Sequence, residues 1–180
     1  GVIIGQSMMS TARLKSLYKE ASEYDSAINL FKARYTYLPG DYDNTTFGVS
    51  GGNNNGKILA GDEGLQAWTQ LVRGMDLPFN CGQHCGSAIN GAIPNDNVPA
   101  LSWDKSVGFS LGLSLPAAQN AFLIGKQSGN LAFTPGGFLK PEEVLSMDKK
   151  FDDGIPNTGN VRTHQTGVCI DAVDTTKYLV

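Results

Sequence analysis

Leu14, Leu17, Ala21, Tyr24, Ile28, Phe31 and Tyr35 recur at alternating spacings of three and four, which places them along one stripe of a helix. Lys15, Lys19, Glu20, Glu23, Lys32 and Arg34 occupy its other faces. No Pro or Gly falls between Gln6 and Leu38, so the pattern predicts a helix that runs back into the apolar start of the chain, Gly1 to Met9. At about 1.5 Å per residue such a rod approaches about 50 Å, longer than the roughly 30 Å of a small domain. The stripe from Tyr24 to Tyr35 is expected to pack on the chain's own head. The apolar end, with Val2, Ile3, Ile4, Met8 and Met9, is expected to project and to need a bilayer or other copies of the chain to cover it.

The helix is expected to stop at Leu38-Pro39-Gly40-Asp41, where Pro and Gly suit the two central positions of a type II turn. Asp41 to Gly56 then reads as loop. Asp62 and Glu63 precede Leu65, Trp68, Leu71 and Val72, a second amphipathic helix with acidic residues at its positive end, closed by Gly74 and Pro78. Trp68, Leu71 and Val72 are expected to meet Tyr24, Ile28 and Phe31. Between Phe79 and Thr134 short segments are broken by Gly and Pro, with strands expected near Ser106 to Leu115 and Gln119 to Ile124. Pro141 suits the first turn of a last helix that has Glu142-Glu143 at its positive end and Lys149-Lys150 at its negative end. Gly167 to Val173 reads as a closing strand. The class is α+β: an N-terminal helix over residues 1–38, apolar over residues 1–12 and amphipathic over residues 13–38, packed on a loop-rich head over 39–180 with an antiparallel sheet.

Composition narrows the function. Charged residues make up 17% of the chain, against a norm of about 25%, and 22 of 180 residues are Gly. Fourteen basic and seventeen acidic residues leave a net charge of -3, and no basic cluster is denser than Lys149-Lys150. That excludes the electrostatic footprint of a nucleic-acid binder. No run of eighteen apolar residues is present, so no complete membrane span can be read from these residues.

The motifs with catalytic chemistry fail on context. Gly108-Phe109-Ser110-Leu111-Gly112 matches a nucleophile elbow, with Asp148 and His164 following in the hydrolase order. An elbow needs a helix straight after the Ser. Here Val107, Phe109, Leu111, Leu113 and Leu115 alternate as in a strand, and Pro116 leaves no room for a helix. Gly51 to Lys57 has the spacing of a phosphate-binding loop, yet Ile58 stands where Ser or Thr should hold magnesium, so a plain loop is the better reading. Ser16-Leu17-Tyr18-Lys19 matches the Ser-Xaa-Xaa-Lys pattern of penicillin-recognising enzymes without its companion motifs. His84 and His164 sit in Gly-rich or Thr-rich surroundings and read as exposed bystanders. No catalytic set is left.

Cys81, Cys85 and Cys169 are disulfide candidates if the head is exported, and the sequence leaves the pairing open, with the local pair Cys81–Cys85 the least demanding in chain entropy. The competing reading, a zinc site from Cys81, His84 and Cys85, crowds three ligands together and lacks a familiar fourth. Asn44-Thr45-Thr46 matches a glycosylation sequon. Asp148, Asp152 and Asp153, with Asp171 and Asp174, offer oxygen ligands for calcium, but Asp-Asp-Gly followed by Pro-Asn-Thr-Gly is what successive tight turns require, and the spacing of an EF-hand is absent.

The chain resembles the type IV pilins and the pseudopilins of type II secretion. The resemblance lies in Gly-Val-Ile-Ile-Gly-Gln-Ser running into the amphipathic helix, in Phe31 to Asp41 with its Leu-Pro-Gly-Asp ending, and in Asp148-Lys149-Lys150-Phe151-Asp152-Asp153-Gly154-Ile155-Pro156-Asn157-Thr158-Gly159. These segments cover about a third of the chain, and no match is found between Lys57 and Ser146. The family's mature proteins begin with an N-methylated residue, usually Phe, and carry a Glu four positions later; Gly1 and Gly5 stand in the corresponding places here. The expectation is therefore a chain read without the beginning of its helix.

The resemblance implies a structural subunit, not an enzyme, that polymerises into a pilus or secretion pseudopilus at the bacterial cell surface or in the periplasm. It implies copies of itself as partners and anchoring in the inner membrane before assembly. Val2, Ile3, Ile4, Met8, Met9, Leu14 and Leu17 would then form the assembly helix. It also gives some weight to calcium at Asp152 and Asp153, since major pseudopilins carry a calcium loop near the C-terminus, but the reading of these residues as turn formers stays the stronger one and no cofactor is expected. The alternatives are a minor tip or adhesin-type binding subunit and, more distantly, a small secreted enzyme.

Overall fold

The computed structural model describes residues 2–49, 52–59, 61–79, 91–114, 119–127, 137–163, 170–171, 174 and 176–179. Its elements are helix α1 (Val2–Tyr35), a 3-10 turn (Thr45–Phe47), helix α2 (Asp62–Met75), strands β1 (Ala100–Leu101), β2 (Asp104–Ser114) and β3 (Gln119–Lys126), and helix α3 (Pro141–Phe151). The class is α+β, with an N-terminal helix and a small antiparallel sheet in the order β1-β2-β3. The chain divides into two compact units, Leu17–Gly137 and Gly1–Ser16 with Phe138–Val180, so α1 contributes residues to both.

In the Leu17–Gly137 unit the alternation of β2 sorts large side chains from small ones. Phe109 and Leu111 share one face, and Phe122 lies opposite Leu111 on β3. That face meets both helices: the Tyr24 ring lies edge-on to Phe109 at 5.0 Å and to Trp68 at 5.1 Å, and Trp68 stacks on Phe122 at 6.3 Å. Edge-to-face ring pairs contribute about 0.5–1.5 kcal/mol each beyond the area they bury. The other face carries Gly108, Ser110 and Gly112, and a Cβ on Gly108 would press against Val98 and Pro94, so the segment before β1 lies close on it. Trp68, Leu71, Phe31 and Ile28 are all buried, as the two helical stripes lead one to expect.

Helix α1 ends at Tyr35, three residues before the expected stop at Leu38. Thr36 adopts a positive φ of 74° and its amide bonds the Lys32 carbonyl at 2.8 Å, which turns the chain early. Tyr42 then stacks between Tyr35 and Tyr37, with centroids 5.8 Å away on each side. Gly40 has the positive φ that the turn requires, at 85°, and a Cβ there would collide with the Glu63 carbonyl. The closing hydrogen bond runs from Tyr42 N to Leu38 O at 3.0 Å, so the turn is one residue wider than type II.

Helix α2 passes through Gly74 and stops at Asp76, whose φ of 51° makes the cap. Gly74 does not break the helix because it is packed: a Cβ would lie 3.1 Å from the Phe47 ring and 3.2 Å from the Phe31 ring. Residues 63–71 are buried all round, polar ones included. Gln70 accounts for part of this, accepting from Gly40 N at 2.8 Å and donating to Tyr42 O at 3.0 Å.

In the second unit, α3 begins at Pro141, and the Glu143 carboxylate accepts from Lys140 N at 3.0 Å. The other Glu143 oxygen accepts from the Ser10 hydroxyl at 2.9 Å. Ser10 of α1 therefore lies beside the start of α3. Of the closing strand expected over Gly167 to Val173, Ile170 forms a single antiparallel bridge with Tyr178, Asp171 N bonds Lys177 O, and the remaining positions lie outside the described residues.

Candidate functional site: the first helix and an acidic turn

The backbone of α1 is helical through Val2, Ile3 and Ile4, whose side chains lie outside the described residues. Met8 is 68% exposed and Met9 53% exposed. Leu14 and Leu17, expected with them on an assembly surface, are buried at 7% and 2%. They belong instead to the stripe that continues to Phe31, since the three-and-four spacing keeps them on the face that the chain covers for itself. The large exposed apolar groups described at this end of the helix are therefore Met8 and Met9. No helix among the described residues is long and apolar enough to cross a membrane.

The acidic turn follows α3. Oxygens of Asp148, Asp152 and Asp153 lie within 4.8 Å of one another. Asp148, the last turn's inward residue, is fully buried, accepting from Gly154 N at 3.0 Å and from the Tyr178 hydroxyl at 2.6 Å. Asp152 Oδ2 accepts from Val161 N at 2.8 Å and from Asn160 N. Gly159, with φ of 63°, passes so close that a Cβ would collide with the Asp152 carboxylate. Asp153 is exposed and accepts from Thr158 Oγ1 at 2.6 Å and Ile155 N at 2.8 Å, which hold its carboxyl below the usual range.

One calcium ion with ligands at about 2.3–2.6 Å can span oxygens this close. The same carboxylates also serve as the acceptors that shape 154–161, so their grouping has a structural cause without a metal. Asp171 and Asp174 form a separate turn: Asp174 N donates to Asp171 Oδ1 at 3.0 Å, and Lys177 pairs with Asp174 at 2.8 Å, holding its carboxyl down to about 2.

The remaining sequence motifs resolve as structure. Ser110 is buried in mid-strand and donates its hydroxyl to Leu123 O at 2.9 Å. Over residues 54–56 the backbone amides turn to the buried Asp41, at the Asp41 carbonyl oxygen for Asn54 and at its carboxylate for Asn55 and Gly56. Asn44 of the sequon caps the 3-10 turn, accepting from Thr46 N at 2.8 Å and donating to the Tyr42 hydroxyl at 2.9 Å. Cys81, Cys85 and Cys169, with His84 and His164, lie outside the described residues.

Three acidic groups escaped the sequence reading as buried acceptors. Asp41 and Glu63 anchor the loop between the first two helices, Glu63 accepting from Leu59 N and Asn53 Nδ2, each at 2.7 Å. Asp148 bonds Tyr178, a partner thirty residues away. Comparison with family models, curated proteins and solved structures finds no match to this chain.

Proposed function

We propose that the chain is a structural subunit of pilin or pseudopilin type, whose work is assembly through its N-terminal helix. The observation that carries this reading is the unbroken helix Val2–Tyr35 that leaves Met8 and Met9 in water on successive positions while its Leu14-to-Phe31 stripe is covered by the chain itself. Apolar surface left wet costs roughly 25 cal/mol per Å². Neighbouring copies that bury both methionines in a helical bundle recover that free energy, and the Asn- and Gly-rich loops then face solvent. The α+β arrangement of helix and three-stranded antiparallel sheet supports the same reading. In it the subunit resides in the inner membrane before assembly and in a bacterial surface or periplasmic filament afterwards.

Electron microscopy of the native full-length protein tests the proposal. Met8→Asp is expected to abolish filaments while circular dichroism shows the head still folded. Filaments that persist in this variant, or a native protein that stays monomeric, would overturn it.

A further inference from the structure

Asn55 and Gly56 form an Asn-Gly pair in an exposed loop, with both partners of an intramolecular reaction held in place. We propose that this pair is a self-modification site, at which the Gly56 backbone nitrogen closes onto Asn55 Cγ in the folded chain, with Asp41 as proton acceptor and water as co-reactant.

The geometry supplies each role. Gly56 N donates to Asp41 Oδ2 at 2.8 Å, so the nucleophile's proton already lies on the path to a carboxylate. Asp41 is 1% exposed and is held from its other side by Asn55 N, at 2.9 Å from Oδ1. Asn55 Oδ1 accepts from Lys57 N at 2.8 Å, a donor placed where negative charge develops as Cγ is attacked. Gly56 has a φ of 81° and carries no side chain, and beyond its chain neighbours no atom lies within 4 Å of where a Cβ would stand, so nothing else in the fold crowds this residue.

In the step, the Gly56 N–Cγ bond forms as the proton passes to Asp41. The Cγ–Nδ2 bond then breaks, and Nδ2 leaves as ammonia with the proton that Asp41 held. Water adds to either carbonyl of the resulting succinimide and opens it to aspartate or isoaspartate, with no change in oxidation state. Either product adds a carboxylate to the loop that Asp41 anchors. Isoaspartate also lengthens the backbone by one atom and draws the Gly56 amide off Asp41, which loosens the loop.

Peptide mapping by mass spectrometry tests this on the full chain, through the mass gained when an amide NH₂ becomes OH at position 55. The folded chain is expected to convert about a hundredfold faster than the same chain in urea, the lower end of what a positioned general base contributes. Asp41→Asn is expected to remove that excess while circular dichroism of the chain stays native. A folded rate at or below the urea rate would show that the hydrogen bonds protect the pair and would overturn the proposal. Retention of the excess in a folded Asp41→Asn chain would overturn it equally.

Discussion

Tyr178 donates its hydroxyl to Asp148 Oδ2 at 2.6 Å, and neither residue is open to solvent, Asp148 being 0% and Tyr178 6% exposed. The bond ties the end of the chain to the last helix and satisfies one oxygen of a buried carboxylate. Tyr178→Phe keeps the ring and removes the donor. It is expected to cost about 1–3 kcal/mol in urea denaturation, the desolvation penalty of an unpaired buried acceptor. A loss under about 0.5 kcal/mol, normal for a surface site, would show that the carboxylate finds another partner.

The acidic turn gives a second test. Because Asp148, Asp152 and Asp153 each accept hydrogen bonds that shape the turn, a chelator is expected to leave the melting temperature unchanged. A melting temperature that rises with calcium concentration, as mass action requires of a ligand bound only to the folded state, would assign a metal to these three carboxylates.

Ile28 is 8% exposed on the stripe that α1 turns toward the chain's own core. Ile28→Ala is expected to destabilise the chain by about 2–5 kcal/mol, the sum of lost transfer free energy and the cavity left behind. Denaturation showing a change below about 0.5 kcal/mol would contradict the packing.

Burial pushes the Tyr24 hydroxyl up from its ordinary 10.0 to about 12, and the nearby Glu20 and Glu23 charges add to the effect. Since the folded value lies above the unfolded one, the neutral phenol's contribution is fully present below pH 10.0 and is lost as pH rises through about 12. Stability is therefore expected to fall across that window by on the order of 1–2 kcal/mol, less than the full shift would give because solvent screens this half-buried group. Tyr24→Phe should flatten this stretch of the profile; an unchanged alkaline slope would place its cause elsewhere.

Asp174 works in the opposite direction. Its pairing with Lys177, helped by Thr176, lowers the carboxyl to about 2, so its contribution is present above the ordinary 3.8 and lost as pH falls toward 2. The Lys177–Asp174 pair lies at the surface, so the acid limb should weaken further with salt, which screens surface charges. Lys177→Ala should remove that salt dependence from the acid limb.

Periodicity and local turn chemistry were enough to locate the three helices and the two longer strands, but not the two-residue strand β1 or the 3-10 turn. The three-and-four spacing from Leu14 to Tyr35 placed α1, the alternation from Val107 to Leu113 placed β2, and Pro141 with its flanking charges placed α3, because each signal arises within a few residues of backbone geometry. Positions whose role depends on a distant partner could not be read this way. Asp41 looks like a turn residue until the amides of Asn55 and Gly56 close on it. Gln70 lies on what should be the wet side of α2 until Gly40 and Tyr42 meet it. Leu14 and Leu17 carry the same hydrophobicity whether another copy or the chain itself covers them, and only tertiary packing decided for the chain itself. Hydrophobic pattern determines which face of an element must be covered, since that cost is local, but which atoms cover it depends on contacts between residues far apart in sequence.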